Sequence, residues 1–496
     1  MGTHHTAAST GKRAAMPDNP PGDIPGEEFR RYGHEIVDWI AEYLQHPEDY
    51  PVLSQVTPGE IARALPDGPP ADPEPLSDVL ADFERVIMPG ITHWNHPGFM
   101  AYFGVTGSAP GILGELLAAA LNVNGMLWRT SPAASELEAV SLDWLRQLLG
   151  LPPSFEGIIY DTASISTLVA VAAAREATGL PYREQGSAGL PPLSLYCSEH
   201  AHSSVEKGAI TLGIGQQGVR AIPVDEAFRM DVGVLREAID KDRAAGRLPF
   251  CVVATAGTTS TTSVDPIPAI AEVAAENNLW LHVDAAYGGA AAILPEKRWI
   301  LEGAERADSL VMNPHKWLFT PIDLSAFFSP RLDTVHAAFS LVPEYLRTGD
   351  GEVRNYMDYG PQLGRRFRAL KLWFVLRAFG ADGLRSRIRD HIRLAGDFAA
   401  WVDAAPDWER LAPVPLSVVC FRAAPARMNE EALNALNQRI LDRVNQAGRV
   451  FLSHTRLRGM LTLRVAIGNI RSDRAYVRLA WEELVAALAA ELSVPV

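Results

Sequence analysis

Residues 280–289 read WLHVDAAYGG and residues 309–317 read SLVMNPHKW. Each opens on a short, near-continuous run of Leu, Val, Ile-like or Met side chains rather than an alternating one, the pattern of a strand buried on both faces of a parallel sheet. The first run delivers Asp284 at its end and the second delivers Lys316. Open α/β sheets bind ligands in the crevice beyond the carboxyl ends of their strands, so a carboxylate and an amine are expected to face one crevice. An ordinary ion pair at a strand end is the competing reading. The setting argues against it: Lys316 stands between His315 and Trp317 in an apolar segment, and a desolvated lysine gives up its proton readily.

An acid and an amine placed so would suit pyridoxal 5'-phosphate, whose aldehyde condenses with a lysine and whose ring nitrogen is kept protonated by a carboxylate. NPHKW together with HVDAAYGG resembles the group of pyridoxal-phosphate decarboxylases that includes aromatic L-amino-acid decarboxylase, from about Glu28 to the C-terminus. The resemblance implies an α/β, fold-type-I pyridoxal enzyme. It would have a mostly parallel sheet in a large domain, an N-terminal helical segment that clasps a second subunit, and a small α+β C-terminal domain. It also implies a homodimer that acts on a small amino acid.

Bulk properties agree with a soluble enzyme. The chain has 496 residues, 47% hydrophobic and 21% charged, enough for two or three domains. A net charge of −14 disfavours nucleic acid or an anionic membrane as partner. No uninterrupted apolar stretch is long enough to span a bilayer, and GILGELLAAAL is broken by Glu115. Cys197, Cys251 and Cys420 are far apart and read as reduced core residues of a cytoplasmic protein. His93 and His96 make an HxxH pair without a third ligand, so no metal site is expected.

In chain order, residues 1–24 are rich in Ala, Thr, Pro and Gly and are expected to be disordered. Phe29, Tyr32, Ile36, Ile40 and Tyr43 recur at helical spacing, and LSDVLADFERVIMPG predicts a second helix ending before Pro89. Their apolar faces need another surface, either the main domain or a second subunit, and the resemblance implies a dimerisation segment over 25–108. Strands alternating with helices over 109–370 imply βαβ units and a mostly parallel sheet. Residues 371–496 read as the smaller α+β domain.

GIIYD runs into DTAS and an Ala-rich helix. The N–H groups of Thr162, Ala163 and Ser164 with the two hydroxyls could hold a phosphate without any lysine; plain N-capping by Asp161 or Thr162 is the alternative. In the family the matching turn holds the cofactor phosphate. By the same resemblance His202 stacks on the cofactor ring and contacts the substrate carboxylate, Thr259 and Ala286 lie near the ring, and Asn313 and His315 flank the lysine near ring and phosphate. Two motifs are decoys. GIGQQG (213–218) matches GxGxxG but precedes a strand instead of following one. Ser204–Lys207 matches SxxK, yet neither SDN nor KTG is present, so serine acyl transfer is unsupported.

Trp94, Tyr102 and Phe103 match positions that line the substrate side chain in relatives, and no arginine stands among them, which disfavours an acidic substrate. Met126 and Gly364 stand where relatives carry residues that shape the same pocket, and both give room for an indole. Tyr345, in a polar, Gly-containing stretch with the composition of a mobile loop, matches the tyrosine that protonates Cα. The expected reaction is therefore decarboxylation of an aromatic L-amino acid to its amine, tryptophan ahead of phenylalanine, tyrosine or DOPA, by Lys316, His202, Asp284 and Tyr345. An aromatic aldehyde synthase, or a decarboxylase of another non-acidic amino acid, is the alternative.

Overall fold

The computed structural model describes residues 22–341 and 353–493. Most of the tail expected to be disordered, and Tyr345 with its loop, lie outside the described residues.

Residues 22–50 and 54–91 form one compact unit, and residues 51–53 and 92–493 form another. In the first, helix Gly26–Gln45 carries acidic Glu27 and Glu28 in its opening turn, where they complement the helix dipole. Trp39 stacks on Tyr43 at 5.4 Å and meets the edge of Phe83 at 5.2 Å. The second predicted helix changes pitch along its length. It is α-helical over Leu76–Asp82, widens to a π-turn over Phe83–Ile87, and tightens to a 3-10 turn over Met88–Gly90.

Residues 92–108 belong to the second unit, not to the N-terminal one, which corrects the segment expected to run to 108. The reason is backbone pairing: Met100 N–H donates to Phe451 O at 2.9 Å and Ser108 N–H to Phe319 O at 3.0 Å.

Seven strands make the main sheet: β1 (Glu156–Tyr160), β2 (Leu193–Ser198), β3 (Val219–Ile222), β4 (Leu248–Thr255), β5 (Trp280–Asp284), β6 (Ser309–Met312) and β7 (Ser325–Ser329), in the order β1-β7-β6-β5-β4-β2-β3. All neighbouring pairs among β2 to β6 are parallel, and β7 runs antiparallel between β1 and β6. The sequence reading had no β7, so the sheet is mostly parallel with one reversed strand. β4, β5 and β6 are buried along nearly their whole length, as their unbroken apolar runs require.

Four further strands, β8 (Trp408–Arg410), β9 (Val418–Ala423), β10 (Ser453–Leu457) and β11 (Met460–Ala466), form an antiparallel sheet in the order β10-β11-β9-β8. Helices Glu430–Gln446 and Arg474–Ser493 supply Leu436, Ile440, Val444, Val477 and Leu484 to its core. Helix Ala369–Ala404 crosses the expected junction at 370 without a break and is interrupted only at Gly380, whose φ of 62° breaks the helical path.

Candidate active site

Parallel pairing of β5 with β6 sets Asp284 opposite Val311. Asp284 closes β5, and Lys316 follows β6 on the short helix Pro314–Trp317. Both line one cavity of about 180 Å3, together with Thr162, Ala163, Ser164, His202, Thr259, Ala286, Asn313 and His315. Every residue expected at the cofactor is thus gathered from five separate stretches of chain. Gly257 and Gly288 let the loops after β4 and β5 come together: Gly257 has φ +98°, and a Cβ on Gly288 would collide with the Ala256 carbonyl.

Lys316 is half-buried, with its ammonium 5.3 Å from the centre of the Phe103 ring. Burial lowers its pKa, against the opposing pull of Asp284, so its neutral, nucleophilic form is more accessible than that of a solvated lysine. Asp284 is 5% exposed, and one carboxylate oxygen accepts the Ala286 N–H at 3.1 Å. A second buried carboxylate stands behind it. Asp265 accepts N–H groups from Thr255 and Met230, each at 2.8 Å, and burial, helped by the charges of Asp225 and Asp284, raises its pKa to about 6.

His202 accepts the Ser204 N–H at Nδ1 (3.2 Å) and lies 2.8 Å from the Ser204 hydroxyl. Burial lowers its pKa, with Lys316 adding to the effect and Asp284 opposing it, so a neutral imidazole faces the cavity at pH 7. His315 accepts the Leu324 N–H at Nδ1 (2.9 Å), and burial takes its pKa down to about 3. Asn313 continues this chain: the Ser325 hydroxyl donates to its Oδ1 at 2.7 Å and lies 2.9 Å from the Ser166 hydroxyl.

Helix Ala163–Glu176 starts at the cavity with no side-chain cap. Asp161 takes the N–H and hydroxyl of Thr162, not the N–H groups of Ala163 or Ser164, while those of Ile165 and Ser166 turn back to the Thr162 carbonyl, each at 3.1 Å. The capping alternative therefore fails, and an anion is the natural partner for that turn. Deeper in, the Thr255 hydroxyl is buried beside Asp284 with no hydrogen-bond partner. An uncapped helix start at one end, a carboxylate with an orphaned hydroxyl at the other, and a desolvated amine between fit pyridoxal phosphate: phosphate, ring nitrogen and aldehyde each meet a matching group.

Of the residues expected at the substrate, Phe103 alone lines this cavity. Its ring stacks on Tyr287 at 3.8 Å, Tyr287 on Trp317 at 4.7 Å, and Trp317 donates to His391 Nδ1 at 2.9 Å. Trp94 and Tyr102 are 38% and 54% exposed and stack on each other at 6.0 Å. Met126 packs with Leu127 and Met357, and Gly364 lies near Asn124. The structure does not bring these four to the Lys316 cavity of the same chain.

Thr255, Gly257, Tyr287 and Arg464 were not expected. Thr255 ends a buried strand as Asp284 does, so the same rule could have found it. Arg464 is 3% exposed and its guanidinium lies 5.7 Å from the Phe103 ring. It donates to the carbonyls of Thr259 (2.7 Å), Ser260 (2.8 Å) and Tyr102 (3.3 Å), and to the Ser453 hydroxyl (2.9 Å). An arginine thus stands behind the aromatic wall after all, with its donors committed to the loops that shape it. Among the described residues, no group of three or more His, Cys, Asp or Glu is placed to hold a metal, and all three cysteines are buried and free.

Comparison with known proteins places these residues in context. The pyridoxal-dependent decarboxylase conserved domain matches residues 58–424. The chain is 42% identical over 470 residues to a phenylacetaldehyde synthase of Arabidopsis thaliana, covering 92% of this chain and 95% of that protein. It is also 42% identical over 482 residues to an aromatic-L-amino-acid decarboxylase of Sus scrofa, covering 94% and 97%. A crystal structure of Oryza sativa TDC with PLP and tryptamine superposes with a TM-score of 0.92 at 36% identity, over 95% of this chain and 99% of that one.

Proposed function

The chain belongs to the pyridoxal-dependent decarboxylase family and is a carboxy-lyase of the aromatic-L-amino-acid type; within that family we propose that it makes the amine, with L-tryptophan as its preferred substrate. The observation that carries the reading is the shared cavity of Lys316, Asp284 and His202 with the uncapped start of helix Ala163–Glu176. When bound there, pyridoxal phosphate supplies the electron sink that receives the pair left at Cα as carbon dioxide departs.

The chain's own residues do the rest. The helix start and Ser164 would hold the phosphate, Lys316 would supply the covalent anchor and shuttle protons, and Asp284 would keep the ring nitrogen charged. Neutral His202 offers a flat face to the ring and an N–H to the substrate carboxylate. Asn313 and His315 fix the turn that carries Lys316. Phe103, backed by Tyr287 and Trp317, supplies an aromatic wall, each buried ring pair adding about 0.5–1.5 kcal/mol beyond burial.

We place Trp94, Tyr102, Met126 and Gly364 at the substrate side chain as residues lent by a second copy of the chain. Leu113, Leu116, Leu117 and Leu121, all near half exposed or more on helix Ala109–Leu121, support a homodimer, because monomers rarely leave such a row in water. No helix of the described residues is long and apolar enough to cross a membrane, in keeping with the cytoplasm as its compartment.

Gly364 and the adaptable Met126 leave space for an indole, which is why tryptophan is ranked first. Offered tryptophan, phenylalanine, tyrosine and DOPA in one tube, the enzyme should give tryptamine as the most abundant amine by mass spectrometry. Tryptamine in last place would overturn the ranking.

Tyr345 is proposed to protonate Cα after decarboxylation, since a phenol can deliver a proton to a strongly basic carbon and recover it from water. Tyr345→Phe should still release carbon dioxide but expose the electron pair at Cα to dioxygen. The products would then be arylacetaldehyde, ammonia and hydrogen peroxide, with one dioxygen and one water consumed per turnover. Amine at the native rate without peroxide would assign the proton to another group and revive the aldehyde-synthase alternative as a question of other residues.

A further inference from the structure

The parallel sheet also has an amino end, and a larger cavity opens there. It encloses about 710 Å3 where β4 and β5 begin and where helices Ala163–Glu176, Val232–Ala244 and Ile267–Asn277 finish. Arg243, Arg247, Arg306 and Arg331 stand in its wall against a single carboxylate, Asp308. Four guanidiniums less one carboxylate is a formal +3, on a chain whose net charge is −14.

The four are not equally occupied. Arg331 pairs with Asp308 at 2.9 Å and lies 4.8 Å from the centre of the Trp280 ring. Arg247 donates to the Ser194 hydroxyl at 2.7 Å and approaches Asp242 at 3.8 Å. Arg243 and Arg306 have no carboxylate within 4.0 Å among the described residues; Arg243 donates to Asn277, and Arg306 to the Ala271 carbonyl at 3.4 Å. Cations at helix C-termini offset the helix dipole, and that duty explains the contact of Arg243 with Asn277 at the end of helix Ile267–Asn277, whereas Arg306 reaches the Ala271 carbonyl in the middle of that helix. These contacts use two N–H donors of Arg243 and one of Arg306, whereas each guanidinium carries five. Spare, converging forks remain.

We propose that this cavity binds the phosphate chain of a small polyphosphate. Guanidinium forks match phosphate oxygens two at a time, and the two guanidiniums without a carboxylate, Arg243 and Arg306, beside the already paired Arg247 and Arg331, suit a chain of two or three phosphates better than a monoanion. The volume lies in the range of small-ligand sites, roughly 300–1,000 Å3. Arg247 is shared with a neighbouring cavity of about 560 Å3 whose wall includes Gly213, Ile214, Gln217 and Gly218. The glycine-containing stretch that fails as a dinucleotide fingerprint therefore borders space for an organic group attached to the phosphates. The phosphate chain could come from inorganic triphosphate or from a nucleoside triphosphate. The site is separate from the Lys316 cavity, which lies at the other ends of β4 and β5.

The test is calorimetric titration of the holoenzyme, its own phosphate position filled by cofactor, with inorganic triphosphate and, separately, ATP at about 0.15 M salt. Both should bind, and Arg243→Gln/Arg306→Gln should weaken both at least tenfold while amine formation stays within twofold of wild type. Equal affinities would locate recognition in the phosphates, and tighter ATP binding would add the neighbouring cavity. No heat from either anion with the wild-type enzyme, or unchanged affinity in the double variant, overturns the proposal.

Discussion

Replacing Lys316 with alanine is expected to abolish amine formation while the chain still folds. The side chain has two duties, covalent anchor and proton carrier, and general acid–base help alone contributes about 10²–10⁴-fold, so the loss should reach at least about 10³-fold. Stability should hold, because the change removes a desolvated cation whose pKa burial already depresses, with Asp284 the opposing charge. Amine assays beside thermal melts of the cofactor-free proteins check both halves. A variant that keeps a tenth of native turnover would remove Lys316 from the chemistry.

The second large loss is expected at Asp284. Its carboxylate is 5% exposed and meets the cavity beside the orphaned Thr255 hydroxyl. A charge lodged there without its partner is costly: breaking a buried pair costs about 3–5 kcal/mol, or roughly 10²–10⁴ in rate at about 1.36 kcal/mol per decade. Asp284→Ala should fall by that factor in kcat and should also bind pyridoxal phosphate more weakly, measured by the cofactor's absorbance after dialysis. Near-native turnover in this variant would sink the cofactor assignment even if Lys316→Ala were dead. The two substitutions are therefore informative as a pair.

The cofactor side of the site was legible because its residues follow a local rule. Asp284 ends a strand and Lys316 follows one, and buried parallel strands announce themselves as unbroken apolar runs; Thr162 and His202 also follow strands, but their cofactor roles came from the family resemblance. What escaped was set by distance along the chain. Arg464 reaches Thr259 across 205 residues and Tyr102 across 362, and no periodicity or motif spans such an interval. β7 escaped for a different reason. SAFFS is no shorter than β5, but it follows the lysine segment without a helical stretch between, so the βαβ alternation that marked the other strands does not announce it, nor does its pattern declare its direction. The aromatic set Trp94, Tyr102 and Phe103 read as one group from adjacency, yet Phe103 turns into the cavity while Tyr102, at φ 51°, faces outward. Neighbouring residues on an irregular segment need not share a surface.

The 362 residues between Tyr102 and Arg464 also set a timetable. Translation at about 5–20 residues per second leaves the aromatic wall waiting roughly 18–72 s before the guanidinium that pins it leaves the ribosome. Local strand and helix formation takes microseconds, so the nascent sheet can form long before its active crevice is fixed. The aromatic wall of the crevice is therefore pinned only late in synthesis. During that interval the growing polypeptide shows apolar surface to any chaperone within reach.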